Sequence, residues 1–311
     1  MTTPKRAVAI GGGTGLPLVL GCLVAHGYET CAVVTVADDG GSSGWLRREL
    51  GILPPGDIRN CLVALAEPGN ALAELFQYRF PAGEGLTGHA LGNLIIAALV
   101  DIRGEFALAI DDAAALLGAR GRVLPSTLAD IVLSAEDCAG ETVTGQANVA
   151  RSAVPLRRVS IEPLSPPAYP PVLEAIEAAD LVIIGPGSLY TSIIPNLLID
   201  GVADALRSTS ARVVYVCNVA NQRGETTDMD AFDHVRALVE HGLSGAIDDV
   251  LVHDTDVTPL PAGVSAVESG AATREAIAAL GVKVLACDLA LLSNPMHHDP
   301  ALLCAALRRF A

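Results

Sequence analysis

The segment that most constrains this chain lies near its start. Arg6 to Ile10 is a short apolar run, Gly11-Gly12-Gly13-Thr14-Gly15 follows at once, and Leu16 to His26 is long enough for a helix. A second β-branched run spans Cys31 to Val36. Strand, glycines, helix, strand is the signature of a βαβ unit with two parallel strands. The glycine turn leaves backbone N–H groups at the positive end of a helix dipole, where a phosphate can be held, and Thr14 adds a hydroxyl donor. The same glycines also suit a βα turn with no ligand. Counting G-x-G-x-x-G from Gly11 puts Leu16 at the third glycine, which speaks against an NAD-dependent dehydrogenase, and no lysine makes this a Walker loop.

The pattern recurs in the second half. Leu181 to Ile184, Arg212 to Cys217, Val250 to Val252 and Val282 to Cys287 are apolar strands, separated by helix-length segments such as Asp230 to Glu240 and Ala271 to Leu280. Uninterrupted apolar strands imply a mostly parallel sheet with helices on both faces, so the expected class is α/β with a Rossmann-like three-layer fold. Helical spacing from about 57 to 117 predicts a helical segment laid on that sheet. From about 131 to 161, short alternating stretches broken by Gly140 and Gly145 predict a small antiparallel β-hairpin insertion. The expectation is one Rossmann-like domain over residues 1–311.

A formal charge of -15 opposes broad attraction to nucleic acid or anionic membrane, because phosphate backbones are held by clustered Lys and Arg. Leu94 to Val100, the longest clean apolar stretch, falls far short of the roughly 20 residues that span a bilayer. With no export signal visible at the N-terminus, a cytoplasmic protein is expected. Lysine occurs only at Lys5 and Lys283, and the seven dispersed cysteines lack any Cys-x-x-Cys pair, which suits buried thiols in a reducing compartment.

Several further stretches carry chemistry. Asp38 and Asp39 follow the second strand, where a carboxylate commonly accepts ribose hydroxyls; two carboxylates can also hold a divalent cation, or simply solvate a turn. Gly40-Gly41-Ser42-Ser43-Gly44 then forms a donor-rich loop suited to an anion nest. It also spells Gly-x-Ser-x-Gly around Ser42, the nucleophile-elbow pattern, although no histidine or acid partner is identifiable from sequence. Pro54-Pro55-Gly56-Asp57 places Asp57 at a helix N-cap. Arg59 and Asn60 follow in the first turn, where the dipole opposes Arg59 unless a carboxylate or phosphate pairs with it. His89 and Asn93 flank another helix start, His89 being either structural or a ligand contact. Gly185, Gly187, Ser188, Tyr190, Thr191 and Ser192 follow an apolar strand, and Asn218 and Gln222 follow the next. Four strand ends thus deliver polar groups to the carboxyl edge of the sheet, where open α/β sheets bind ligands. His297-His298-Asp299 does not have the pattern of a zinc site.

Gly11 to Leu16, Thr35 to Gly44, Pro55 to Asn60, Gly88 to Asn93 and Gly185 to Ser192 together resemble the gluconeogenesis factor (YvcK-like) family, in order and over nearly the whole chain. That family is in turn similar to the 2-phospho-L-lactate transferases (CofD-like). The resemblance implies a cytoplasmic bacterial protein that binds UDP-sugars such as UDP-N-acetylglucosamine and regulates cell shape and cell-wall synthesis, with no established catalytic activity. Cell-wall synthesis proteins are its implied partners, and self-association is left open. By carry-over Thr14, Asp38, Asp39, Asn93 and the Gly185 to Ser192 loop would surround the nucleotide diphosphate, with no required cofactor beyond magnesium accompanying the diphosphate. The alternative is a metal-dependent transferase using a nucleotide-activated phospholactate donor, in which Asp39 and Asp57 match the acidic catalytic or metal-holding positions. This chain departs from the family pattern at Val219 to Thr226, at Gly145-Gln146, and at His297, where an arginine is expected.

Overall fold

The computed structural model describes residues 4–255 and 260–310. Strand β1 (Arg6–Gly11) is buried on both faces beyond its first residue, and so is β2 (Glu29–Val34). Alternation is therefore absent, as required of strands covered by helices above and below. Between them α1 (Leu16–Ala25) packs Leu16, Val19, Leu20 and Leu23 inward. After β2 come α2 (Gly41–Leu50), α3 (Gly56–Leu65), α4 (Ala71–Gln77), α5 (Leu91–Arg103), α6 (Phe106–Leu117) and β3 (Gly121–Pro125).

A three-stranded antiparallel sheet follows, made of β4 (Val132–Asp137), β5 (Thr142–Thr144) and β6 (Leu156–Glu162) in the order β5-β4-β6, with a short helix α7 (Gln146–Val149) between β5 and β6. The expected hairpin is thus one strand larger, because β6 pairs with the other edge of β4. The chain then re-enters the main sheet through β7 (Leu181–Ile184), β8 (Arg212–Val216), β9 (Asp249–His253) and β10 (Lys283–Cys287).

The main sheet has seven parallel strands in the order β10-β9-β8-β7-β1-β2-β3, with the helices packed around it, in agreement with the α/β class. Sequence reasoning did not identify β3 as a strand: Gly121 and Pro125 bracket a short run that looks like a turn. It also left Gly41 to Gly44 as a loop. They form the start of α2, which is sustained by Leu46 and capped by Gly51 in the left-handed region. No helix among the described residues is long and apolar enough to cross a membrane.

From β1 the chain builds outward through β2 and β3, then returns to the other side of β1 and builds outward through β7 to β10. The direction of growth reverses between β1 and β7, so the loops leaving these two strands diverge and open a crevice at their carboxyl ends.

A cleft at the topological switch point

The crevice is walled by the two loops that the topology places there. From β1, Gly13, Thr14 and Gly15 contribute one wall, and from β7, Pro186, Gly187 and Ser188 contribute the other. Gly13 has φ +65°, open to glycine at no cost, and a Cβ at residue 15 would overlap the Pro186 carbonyl oxygen. The two loops can approach only because position 15 has no side chain. Asn218, just beyond β8, holds the second loop from both sides: its Nδ2 donates to the Gly187 carbonyl at 2.8 Å and its Oδ1 accepts the Gly187 N–H at 3.3 Å. Gln222, Met296, His297 and His298 complete the lining.

The two histidines divide their tasks. His297 is exposed at the cleft, whereas His298 is buried and bonds through Nε2 to the Cys217 carbonyl at 3.0 Å. Burial pushes its pKa down to about 4, so at neutral pH it is uncharged and Nε2 carries the proton it donates. His298 thus ties the C-terminal segment to the end of β8, which puts His297 beside the glycine loop.

Asp57 lies below that loop. Its Oδ2 accepts the Gly13 N–H at 2.7 Å, and burial raises its pKa to about 6, with the charge of Asp38 adding to the effect. The expected N-cap role is corrected here: Pro55 is the N-cap of α3, and Asp57 sits inside the first turn with its carboxylate spent on the neighbouring loop. Asp38 also has a raised pKa, through burial first, partly offset by the Gly40 N–H at 3.0 Å and by the Ser43 hydroxyl. Asp39 turns toward the small sheet. Its two oxygens accept the backbone N–H groups of Gln146 and Ala147 at 2.9 and 2.8 Å, capping α7, and a Cβ at residue 145 would fall 2.8 Å from Asp39 Oδ2. Asp38 stands between the two, raised by the charge of Asp39 and itself raising Asp57, while Asp39 also anchors the insertion. Among the described residues no group of three His, Cys, Asp or Glu side chains could hold a metal ion. Asp39 and Asp57, the candidate metal-holding residues, are each bonded to backbone N–H donors.

A second polar group joins α2, α3 and α5. Arg59 donates from one terminal nitrogen to Asn93 Oδ1 at 3.1 Å and from the other to Asn60 Oδ1 at 2.6 Å. Its protein partners are thus neutral amides, and of the carboxylate or phosphate expected from its place at the helix start, no carboxylate is bonded to it. Asn93 Nδ2 donates to Ser42 Oγ at 3.0 Å, and Ser42 Oγ lies 3.0 Å from His89 Nδ1. Trp45 stands edge-on to the His89 ring at 4.9 Å between centroids. Gly41, Ser42 and Ser43 belong to the first turn of α2, and Ser43 accepts the Gly56 N–H at 3.1 Å.

The remaining candidates lie under the cleft rather than on it. Tyr190 and Thr191 are buried, and their N–H groups both donate to Glu225 Oε1, at 2.7 and 3.0 Å. Ser192 is buried against Gly12 and Gly187. Two residues absent from the sequence-derived site set this base. Glu225 is fully enclosed, and burial pushes its pKa up to about 7. Asn196 Nδ2 donates to the Gly11 carbonyl at 3.2 Å and the Ser192 carbonyl at 2.8 Å. A Pro-Asn step inside the apolar run Ile193 to Leu198 is the signal that could have marked Asn196. A separate cavity opens at the opposite, amino edge of the sheet beside Arg6, Glu29, Arg122 and Glu174, away from both loops.

Fold, switch-point cleft and glycine loops define a class, and comparison with known proteins specifies it. Residues 7–290 match the family model described as 2-phospho-L-lactate transferase CofD, so the class is CofD-like. The gluconeogenesis factor of Bacillus subtilis is 47% identical over 254 residues, covering 82% of this chain and 80% of that protein. The gluconeogenesis factor of Halalkalibacterium halodurans is 46% identical over 254 residues, covering 82% and 79%. The chain belongs to the gluconeogenesis factor family. A relative from Nostoc sp., 49% identical over 249 residues, is longer: the match takes 80% of this chain but 55% of that one. A crystal structure of a Bacillus halodurans protein superposes with a TM-score of 0.92 at 40% identity, covering 98% of this chain and 100% of that one.

Proposed function

We propose that this protein is a regulatory factor that binds a nucleotide diphosphate sugar of the UDP-N-acetylglucosamine type in the β1/β7 cleft, and that it links nucleotide-sugar supply to cell shape and cell-wall synthesis in the cytoplasm. The observation that carries the reading is the paired loops at the switch point. Gly13 to Gly15 and Gly187 to Ser188 face each other across the crevice, and Thr14 is exposed at its mouth. Backbone N–H groups and hydroxyls in that arrangement suit a diphosphate. No resident metal is required in this reading, and magnesium accompanies the diphosphate. Beyond the cleft, toward α5, half-buried Ser42 stands over the buried polar group Arg59, His89 and Asn93. The test is isothermal titration with UDP-N-acetylglucosamine. Binding should be measurable in the native chain and about 10-fold weaker or more in Thr14→Ala and Asn218→Ala, and absence of heat with every uridine nucleotide would sink the proposal.

A second reading has one observation of its own. The family-model match, with Asp57 raised to about 6 by burial and by the charge of Asp38, suits a phosphotransferase that uses a nucleotide-activated phospholactate donor. Turnover of such a donor with a deazaflavin acceptor would establish it.

A further inference from the structure

The Gly-x-Ser-x-Gly pattern at residues 40–44 has a histidine partner in the fold. The Asn93–Ser42 hydrogen bond has a defined direction. Arg59 can only donate, so Asn93 Oδ1 is the acceptor and Asn93 Nδ2 must face Ser42. Ser42 Oγ receives that N–H and lies 3.0 Å from His89 Nδ1; in the Nε2–H tautomer of His89, Nδ1 accepts the Ser42 proton. This is the nucleophile-to-base geometry of an activated hydroxyl, with Arg59 and Asn93 orienting it.

The two neighbouring serines are not equivalent. Ser43 is buried and occupied, bonded to the Gly56 N–H and to Asp38. Ser42 is half-buried and reachable from solvent. Beside it, Arg59 is 5% exposed and its Nε has no hydrogen-bond partner. The Gly40 N-cap of α2 supplies no side-chain cap to the first turn, in which Ser42 sits. The uncapped N–H groups of that turn fit the oxygens of a tetrahedral phosphorus centre, and the buried guanidinium of Arg59 adds positive charge behind Asn93.

We propose that Ser42 is a nucleophile, activated by His89, that takes up a phosphoryl group from a phosphoanhydride or phosphoester. The Ser42 Oγ–P bond forms as the bond from phosphorus to its leaving group breaks, the electron pair departs with that group, and the Ser42 proton passes to His89 Nδ1. The imidazolium proton then passes to the departing group, and water attacks the phosphoserine: neutral His89 takes a proton from the water as the new O–P bond forms, Oγ–P breaks, and Oγ recovers a proton from the imidazolium. This is a covalent activity beyond nucleotide-sugar binding and does not depend on it.

The test uses the full chain without nucleotide and an alkyl fluorophosphonate as the phosphorus electrophile, read by intact mass and peptide mapping. One adduct on Ser42 is expected, absent in Ser42→Ala. In His89→Gln, shown folded by circular dichroism, it should form ~100-fold more slowly or worse, the usual range for loss of a general base. Should His89→Gln fail to fold, the native chain decides: its labelling rate should rise with pH and level off once the imidazole is neutral. A rate that climbs with hydroxide without a plateau, no adduct, an adduct elsewhere, or an unchanged rate in folded His89→Gln would each overturn the proposal.

Discussion

Glu225 illustrates how a single buried side chain sets the condition under which the cleft is held. Its carboxylate is the common acceptor for Tyr190 and Thr191 at the start of the helix that follows the β7 loop. Burial raises its pKa from 4.5 to about 7, so between these values the folded chain binds a proton that the unfolded chain releases. Stability from this group is complete below pH 4.5 and is lost as the pH rises through about 7, by up to roughly 3 kcal/mol. Glu225→Gln keeps one oxygen for the two N–H groups and places its amide toward Thr191 Oγ1. Urea unfolding should show Glu225→Gln more stable than the native chain at pH 8, with a flatter pH dependence from 5 to 7.5; equal slopes would show that Glu225 titrates normally. Nothing in the sequence pointed to this role, because Glu225 reads as one polar residue among several in the stretch from Asn218 to Thr226.

The β1 and β7 loops depend on each other. At Gly15 an added methyl group overlaps a backbone carbonyl, whereas at Gly21, on the exposed side of α1, it meets nothing within 4 Å. Gly15→Ala should therefore cost about 1–3 kcal/mol and weaken nucleotide-sugar binding together with it. Gly21→Ala should add about 1 kcal/mol by helix propensity alone and leave binding unchanged. Chemical denaturation and calorimetry on the two variants separate contact from composition. The strand–glycine–helix pattern was legible from Arg6 to His26 because β1 and α1 are encoded by local apolar spacing. The start of α2 was not, since Gly40-Gly41-Ser42-Ser43-Gly44 has turn composition and becomes helical through its packing: a Cβ at residue 44 would overlap the Asp39 carbonyl, and one at residue 56 would overlap Ser43 Oγ. The contacts of Asp39 were hidden for a related reason: its partners within the chain, Gln146 and Ala147, lie more than a hundred residues away.

The seven-strand order explains why one cleft rather than another is the candidate site. Apart from β3, the strands and their parallel direction are legible in the sequence, but the order β10-β9-β8-β7-β1-β2-β3 is not, because nothing local in β7 specifies that it pairs with β1 instead of β3. Hydrogen exchange with and without UDP-N-acetylglucosamine should map protection to residues 12–18, 186–190 and 296–298. The amino-edge cavity beside Arg6 and Arg122 should be unaffected, and protection centred there would relocate the ligand. The same order has a consequence for biosynthesis. Gly15 is made before its facing loop at Pro186, and His297 after both. A ribosome-bound chain therefore carries a glycine turn with no opposing wall until β7 has emerged and docked on β1. The binding cleft then remains without His297 until the segment tied down by His298 arrives. Ligand retention by truncated nascent chains should consequently begin only after the last of these segments is free of the exit tunnel.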